Sequence, residues 1–133
     1  MPNTVLIVDD EPRITIALMT RLQASGYEVF HAINGLAGVE AAAIHHPDVI
    51  IMDIRMPDIE GYEACQRIHR LPGLEHTPII FLSANTHAAE QKALESGGAA
   101  FIRKPYIAQD IIATIERVLK SSGNANQETP SNV

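Results

Sequence analysis

The chain has 133 residues, 46% of them hydrophobic and 20% charged, with a formal charge of −6. That length suits one domain on one core, the hydrophobic share excludes a disordered chain, and no apolar run approaches the roughly 20 residues of a membrane helix. The lone Cys65 excludes an internal disulfide and fits a reducing cytoplasm, while net acidity argues against nucleic-acid binding by the domain's own surface. The Met-Pro-Asn-Thr start has no basic leader, so no signal peptide is expected.

Val5-Leu6-Ile7-Val8 predicts a first strand, and its unbroken apolarity suits a strand buried on both faces of a parallel sheet. Pro12 opens a helix to about Ser25, with Ile14, Leu18 and Leu22 on one face and Gly26 as its stop. Tyr27 to Ala32 alternates, Tyr27, Val29 and His31 against Glu28 and Phe30, and predicts an edge strand. Asn34 caps a helix from Gly35 to about His46, where His45-His46 complements the helix dipole before Pro47. Val49-Ile50-Ile51-Met52 predicts the third strand, followed by a helix from Gly61 to Arg70 closed by Leu71-Pro72-Gly73. Ile79-Ile80-Phe81-Leu82 predicts the fourth strand, and Thr86 caps a helix reaching about Ser96 before Gly97-Gly98. The weaker run Ala99 to Ile102 is a fifth strand. A fifth helix spans about Ala108 to Lys120, with Ile111, Ile112, Ile115, Val118 and Leu119 at helical spacing. Five alternations of strand and helix predict an α/β fold, a five-stranded doubly wound parallel sheet with five helices on both faces. After Ser121 the composition turns to Ser, Asn, Gln, Gly and Pro, so residues 1–121 are expected as the domain and 122–133 as a disordered tail or linker.

Ligands of an open parallel sheet sit outside the carboxyl ends of its strands. There the first strand delivers Asp9-Asp10-Glu11, the third Asp53, the fourth Ser83 and the fifth Lys104-Pro105. The second delivers only His31-Ala32, which fits an edge position away from this rim. Crowded carboxylates raise one another's pKa unless a cation relieves them. Lys104 is one such cation. A hard dication is the other, and oxygen-only ligands suit Mg²⁺ or Mn²⁺ better than zinc. A carboxylate beside such an ion is a nucleophile toward phosphorus, in a reaction governed by positioning and charge neutralisation.

The stretches VLIVDDEP, VIIMDIRMPDIEGYE, IIFLSA and GGAAFIRKP, in this order and each at a strand end, resemble the receiver domain of bacterial two-component response regulators. The resemblance covers Val5 to about Leu119 and implies the CheY-like, flavodoxin-like fold with strand order 2-1-3-4-5. It implies Asp53 as phosphoacceptor, Asp10 as a direct Mg²⁺ ligand with Asp53, Asp9 acting through a water, and the Arg55 backbone carbonyl as a further ligand. Ser83 would hydrogen-bond the phosphoryl group, Lys104 would pair with it, and Phe101 would be the aromatic switch residue. A cis Lys104–Pro105 bond is implied as well. The expected partners are a sensor histidine kinase or histidine phosphotransfer protein and an output protein or C-terminal effector domain, with no membrane or direct nucleic-acid contact. Such a domain catalyses only its own phosphoryl transfer and autodephosphorylation, so it is not an enzyme in the usual sense. A phosphorylation-dependent dimer is compatible with the family, although Ala99 and Ala100 stand where the winged-helix subfamily carries acids before the switch aromatic. By the resemblance, Arg55 and Asn85 fall at the two variable positions that tune dephosphorylation in the family.

Each residue alone has a plainer reading: Asp9 and Asp10 as helix-start acids, Ser83 as a cap, Lys104 as a solvated lysine, Phe101 as fixed core. Only the constellation favours phosphoryl chemistry. The rival on the same fold is a phosphorylation-independent interaction module. A haloacid-type phosphohydrolase is disfavoured because Arg55 stands where its second acid belongs. A nucleotide binder is disfavoured because Asp-Asp-Glu-Pro replaces a glycine-rich turn. The six histidines share no ligand spacing, and no zinc site is expected.

Overall fold

A computed structural model of the chain describes residues 3–84 and 87–131, with residues 122–131 described by backbone alone. The elements alternate without exception: β1 (Thr4–Val8), α1 (Pro12–Ala24), β2 (Glu28–Ala32), α2 (Gly35–His45), β3 (Val49–Asp53), α3 (Gly61–His69), β4 (Ile79–Ser83), α4 (His87–Glu95), β5 (Ala100–Arg103) and α5 (Ala108–Ser131). All strands pair in parallel in the order β2-β1-β3-β4-β5, the doubly wound topology expected from the sequence.

The unbroken apolar runs fill both faces of the sheet. Leu6, Val8, Ile50, Met52, Ile79 and Phe81 meet Ala42, Ala64, Cys65, Ile68 and Ala93 from α2, α3 and α4. Their neighbours Val5, Ile7, Val49, Ile51, Ile80 and Leu82 meet Leu18, Leu22, Ile111, Ile115 and Val118 from α1 and α5. The two-residue period of a strand sends alternate side chains to opposite faces, so a run that is apolar throughout needs cover on both.

Helix boundaries follow local chemistry. Pro12 begins α1, and Gly26 beyond its end takes φ +97, a conformation that favours glycine. The Asn34 side chain accepts from Ala37 N at 2.8 Å and caps α2, and His46 closes that helix in the left-handed region. His45 stacks on Phe30, with ring centroids 3.8 Å apart. Gly38 lets α2 lie against β1, since an added Cβ would approach Val8 Cγ1 to 2.8 Å.

Three differences from the sequence reading stand out. Ile14 is 38% exposed, so the buried stripe of α1 is Thr15, Leu18 and Leu22. β2 is an edge strand, yet both of its faces are partly covered, Tyr27 and Val29 by one core layer and Phe30 and Ala32 by the other. The fifth helix continues past Lys120 to Ser131 through a segment of low intrinsic helix propensity that includes Gly123 and Pro130. Thr86 and Asn85, expected as a helix cap and a variable position, lie outside the described residues. Among the described residues no helix is long and apolar enough to cross a membrane.

Candidate functional site

Register fixes the site. Val8 lies opposite Met52, which places Asp9 one step beyond β1 at the level of Asp53. Asp53 pairs with Leu82 on β4, and Ser83 pairs with Arg103 on β5. The ladder continues one residue further at each strand end, with Asp9 N donating to Ala32 O, Ile54 N to Leu82 O and Lys104 N to Ser83 O. These bonds set Asp9, Asp53, Ser83 and Lys104 side by side on one rim.

Asp9, Asp53 and Ser83 are buried polar residues, whereas Asp10 and Glu11 are exposed. Lys104 Nζ lies 3.0 Å from Asp53 Oδ2, 3.6 Å from Asp9 Oδ2 and 4.0 Å from Glu11 Oε1. The other Asp53 oxygen, Oδ1, accepts a long bond from Arg55 N at 3.4 Å. Asp9 Oδ1 accepts from Glu11 N at 2.9 Å, which turns the chain into α1. Carboxylate oxygens of Asp9, Asp10, Glu11 and Asp53, one from each, lie within 4.8 Å of one another. The cleft of about 460 Å³ at this point is lined by Asp10, Glu11, Asp53, Arg55, Ser83, Ala84 and Lys104. The Lys104–Pro105 peptide is cis. Phe101 is half-buried on β5 opposite Phe81 and packs against the core layer under α3 and α4.

The electrostatics follow from burial and crowding. Burial raises the Asp53 pKa, the Asp9 charge adds to this, and the Lys104 hydrogen bond and charge work against it without cancelling it. Burial alone would lower the Lys104 pKa, but Asp53, Asp9 and Glu11 outweigh it and hold the ammonium above its ordinary value. The two shifts are compatible because one cation serves three acids: the lysine gains from all of them, while Asp53 shares it and is also desolvated. The donor set is oxygen only, which suits a hard dication such as Mg²⁺ better than zinc.

The sequence brought Asp9, Asp10, Asp53, Arg55, Ser83 and Lys104 to one rim, and the structure gathers those residues. It also gives Glu11, which the sequence delivers to the same rim without a role, a place 4.0 Å from Lys104 and within the oxygen cluster. It corrects the isolation of β2 from the site. His31 Nε2 donates to the carbonyl oxygen of Asp9 at 2.9 Å, because parallel pairing sets Ile7 opposite His31 and carries the ring toward the end of β1. Asp58 is a second residue the sequence reading missed. It clamps α2 from the loop after Asp53, and its partners 22 and 23 residues upstream left no local signal.

Residues 5–116 match the response regulator receiver domain family. The chain is 35% identical over 128 residues to the transcriptional regulatory protein KdpE of Mycobacterium tuberculosis, a match covering 95% of this chain and 55% of that protein. It is 33% identical to the polar-differentiation response regulator DivK of Brucella anthropi, covering 90% of this chain and 98% of DivK. The chain thus spans about half the length of KdpE and nearly all of DivK. Among solved structures, the chemotaxis response regulator CheY4 of Vibrio cholerae superposes with a TM-score of 0.84 at 30% identity, covering 89% of this chain and 99% of CheY4. A response regulator of Chloroflexus aurantiacus gives a TM-score of 0.86 at 30% identity, covering 90% and 99% of the two chains. The chain belongs to the receiver domain family of two-component response regulators, with their five-stranded CheY fold.

Proposed function

We propose that this chain accepts a phosphoryl group on Asp53 from a phosphohistidine, carried by a sensor histidine kinase or a histidine phosphotransfer protein, and relays the change to an output partner or domain. The observation that carries this reading is Asp53 itself. It is a buried carboxylate held at 3.0 Å by one ammonium, inside an oxygen-only cluster open to a cleft.

Mg²⁺ fits the donor set, with Mn²⁺ as a substitute; Asp10, Asp53 and the Arg55 carbonyl would hold it, and Asp9 would assist through a water. When bound, the ion supplies positive charge that offsets the acids and the incoming phosphoryl oxygens. Lys104 engages Asp53 Oδ2, which leaves Oδ1 as the oxygen for attack. A bond forms from Oδ1 to phosphorus as the phosphorus–nitrogen bond breaks, and the imidazole nitrogen keeps that electron pair. Lys104 then shifts its charge toward the phosphoryl oxygens, and the Ser83 hydroxyl donates to one of them. The loop after β4 and the Phe101 ring follow, and the surface of α4, β5 and α5 changes. Phosphorylation acts here as a ligand, and inverting a 1:99 equilibrium takes a preference of about 5.5 kcal/mol. Residues 1–121 form this unit, with 122–133 as its tail or linker, in a cytoplasmic protein whose phosphorylated form dimerises.

The test is labelling by a small phosphodonor with Mg²⁺. Wild type takes up one phosphoryl group and Asp53→Asn takes up none. Full labelling of the Asn variant would remove Asp53 from the acceptor role, and an unlabelled wild type that still binds Mg²⁺ would favour a phosphorylation-independent interaction module.

A further inference from the structure

The loop between Asp53 and α3, residues 54–60, is held at two points. At its neck Gly61 N donates to Ile54 O at 2.8 Å. There is no room there for a side chain, since an added Cβ at Gly61 would overlap the Asp53 carbonyl oxygen and lie 3.0 Å from Ile54 Cα. At its tip Asp58 reaches across to α2. Gly35 N donates to Asp58 Oδ1 at 2.9 Å and Leu36 N to Asp58 Oδ2 at 2.7 Å. Ile59 packs beneath this contact, so close that a Cβ on Gly35 would sit 2.5 Å from Ile59 Cγ1.

The first amides of a helix have no partner within it. In α2 the third is taken by the local cap Asn34, while the first two are taken by Asp58 from a different loop. The helix is therefore capped by two residues with different attachments. Asn34 bonds to amides of its own helix, Ala37 N and Gly38 N, whereas Asp58 ties that helix to the loop carrying Arg55. Desolvation raises the Asp58 pKa, but the amides of Leu36, Gly35 and Ile59 outweigh it and hold the carboxyl below its ordinary value, so the clamp is ionised near neutral pH.

We infer that Asp58 is a positioning residue for the phosphoacceptor site: by clamping the loop tip to α2 it fixes the Arg55 backbone, whose amide reaches Asp53 and whose carbonyl is assigned to the metal. This rests on the metal-dependent reading of the site given above. An acid at a helix start would serve stability alone if it acted only as a cap. The paired caps of α2 separate the two roles.

The experiment compares Asp58→Ala, Asp58→Asn and Asn34→Ala with wild type. Thermal melting reports capping, and Mg²⁺ titration followed by the amide NMR shifts of Asp10 and Arg55 reports positioning. Both alanine variants should melt lower. Only Asp58→Ala should bind Mg²⁺ more weakly, by about tenfold, the scale of residues that orient metal ligands. Asp58→Asn, which keeps one acceptor oxygen, should fall between wild type and Asp58→Ala. Equal Mg²⁺ affinity in the two alanine variants, or no Mg²⁺-dependent shift in wild type, overturns the inference. Small-phosphodonor labelling of wild type, run alongside, decides the acceptor reading independently of this comparison.

Discussion

Lys104 is the cation that lets three acids share one rim, and Lys104→Met removes its charge while keeping most of its volume. The ammonium lies 3.0 Å from Asp53 and 3.6 Å from Asp9. At an effective dielectric of about 20, each attraction is about 5 kcal/mol before desolvation is counted. Desolvation of the ammonium takes back much of this, although the side chain keeps 15% exposure. Removing one member of a buried pair costs about 3–5 kcal/mol. The cleft admits water, so the expected loss is at the low end, about 3 kcal/mol, or roughly 10 °C in melting temperature for a domain of this size. Urea unfolding without divalent ions measures it. The cause is identified by a double-mutant cycle: in an Asp53→Asn background the same substitution should cost about half as much. Added Mg²⁺ should also recover more stability in Lys104→Met than in wild type. A loss below about 1 kcal/mol, or a full loss that is unchanged by Asp53→Asn, would refute the charge-sharing argument.

The remaining predictions concern the same rim and the core beneath it. A folded pKa of Asp53 above the ordinary 3.8 means that the native state binds this proton more tightly than the unfolded chain, so stability falls as pH rises from 3.8 through the raised value. Metal-free Asp53→Asn should therefore be more stable than wild type at neutral pH, and the gap should close as pH falls toward about 4, read from urea midpoints; a gap that widens on acidification contradicts this. Gly61→Ala should cost about 1–3 kcal/mol by the same assay, because its methyl group meets backbone that cannot turn aside. Cys65 donates its thiol to Ser96 O at 3.4 Å, and burial pushes its pKa up to about 12. A thiol reagent at about pH 8 should leave it unmodified in the native protein and label one equivalent in urea, and rapid native labelling would show that the packing around α3 is wrong.

The fold was legible because its signals are local and repeated. Four of the apolar runs are strand-length and continuous, and Asn34, Pro12 and Gly26 punctuate the helices as their chemistry requires. The site was legible because the carboxyl ends of parallel strands share a rim, so Asp9, Asp53, Ser83 and Lys104 could be placed together without knowing the helices. What escaped is contact between side chains and distant backbone. Asp58 binds amides 22 and 23 residues away, and His31 meets Asp9 through a carbonyl that every residue type carries. Neither leaves a pattern in composition or spacing. The backbone of α5 beyond Lys120 also ran against local propensity, with Gly123 and Pro130 inside the helix.

The acceptor assignment can be read directly from the covalent product. Wild type treated with a small phosphodonor and Mg²⁺, then reduced with borohydride, converts an acyl phosphate to homoserine, which peptide sequencing by mass spectrometry locates. Homoserine at position 53 alone, and only when Mg²⁺ is supplied, is the predicted result. Homoserine elsewhere, or phosphate retained on a histidine with Asp53 unchanged, would contradict it.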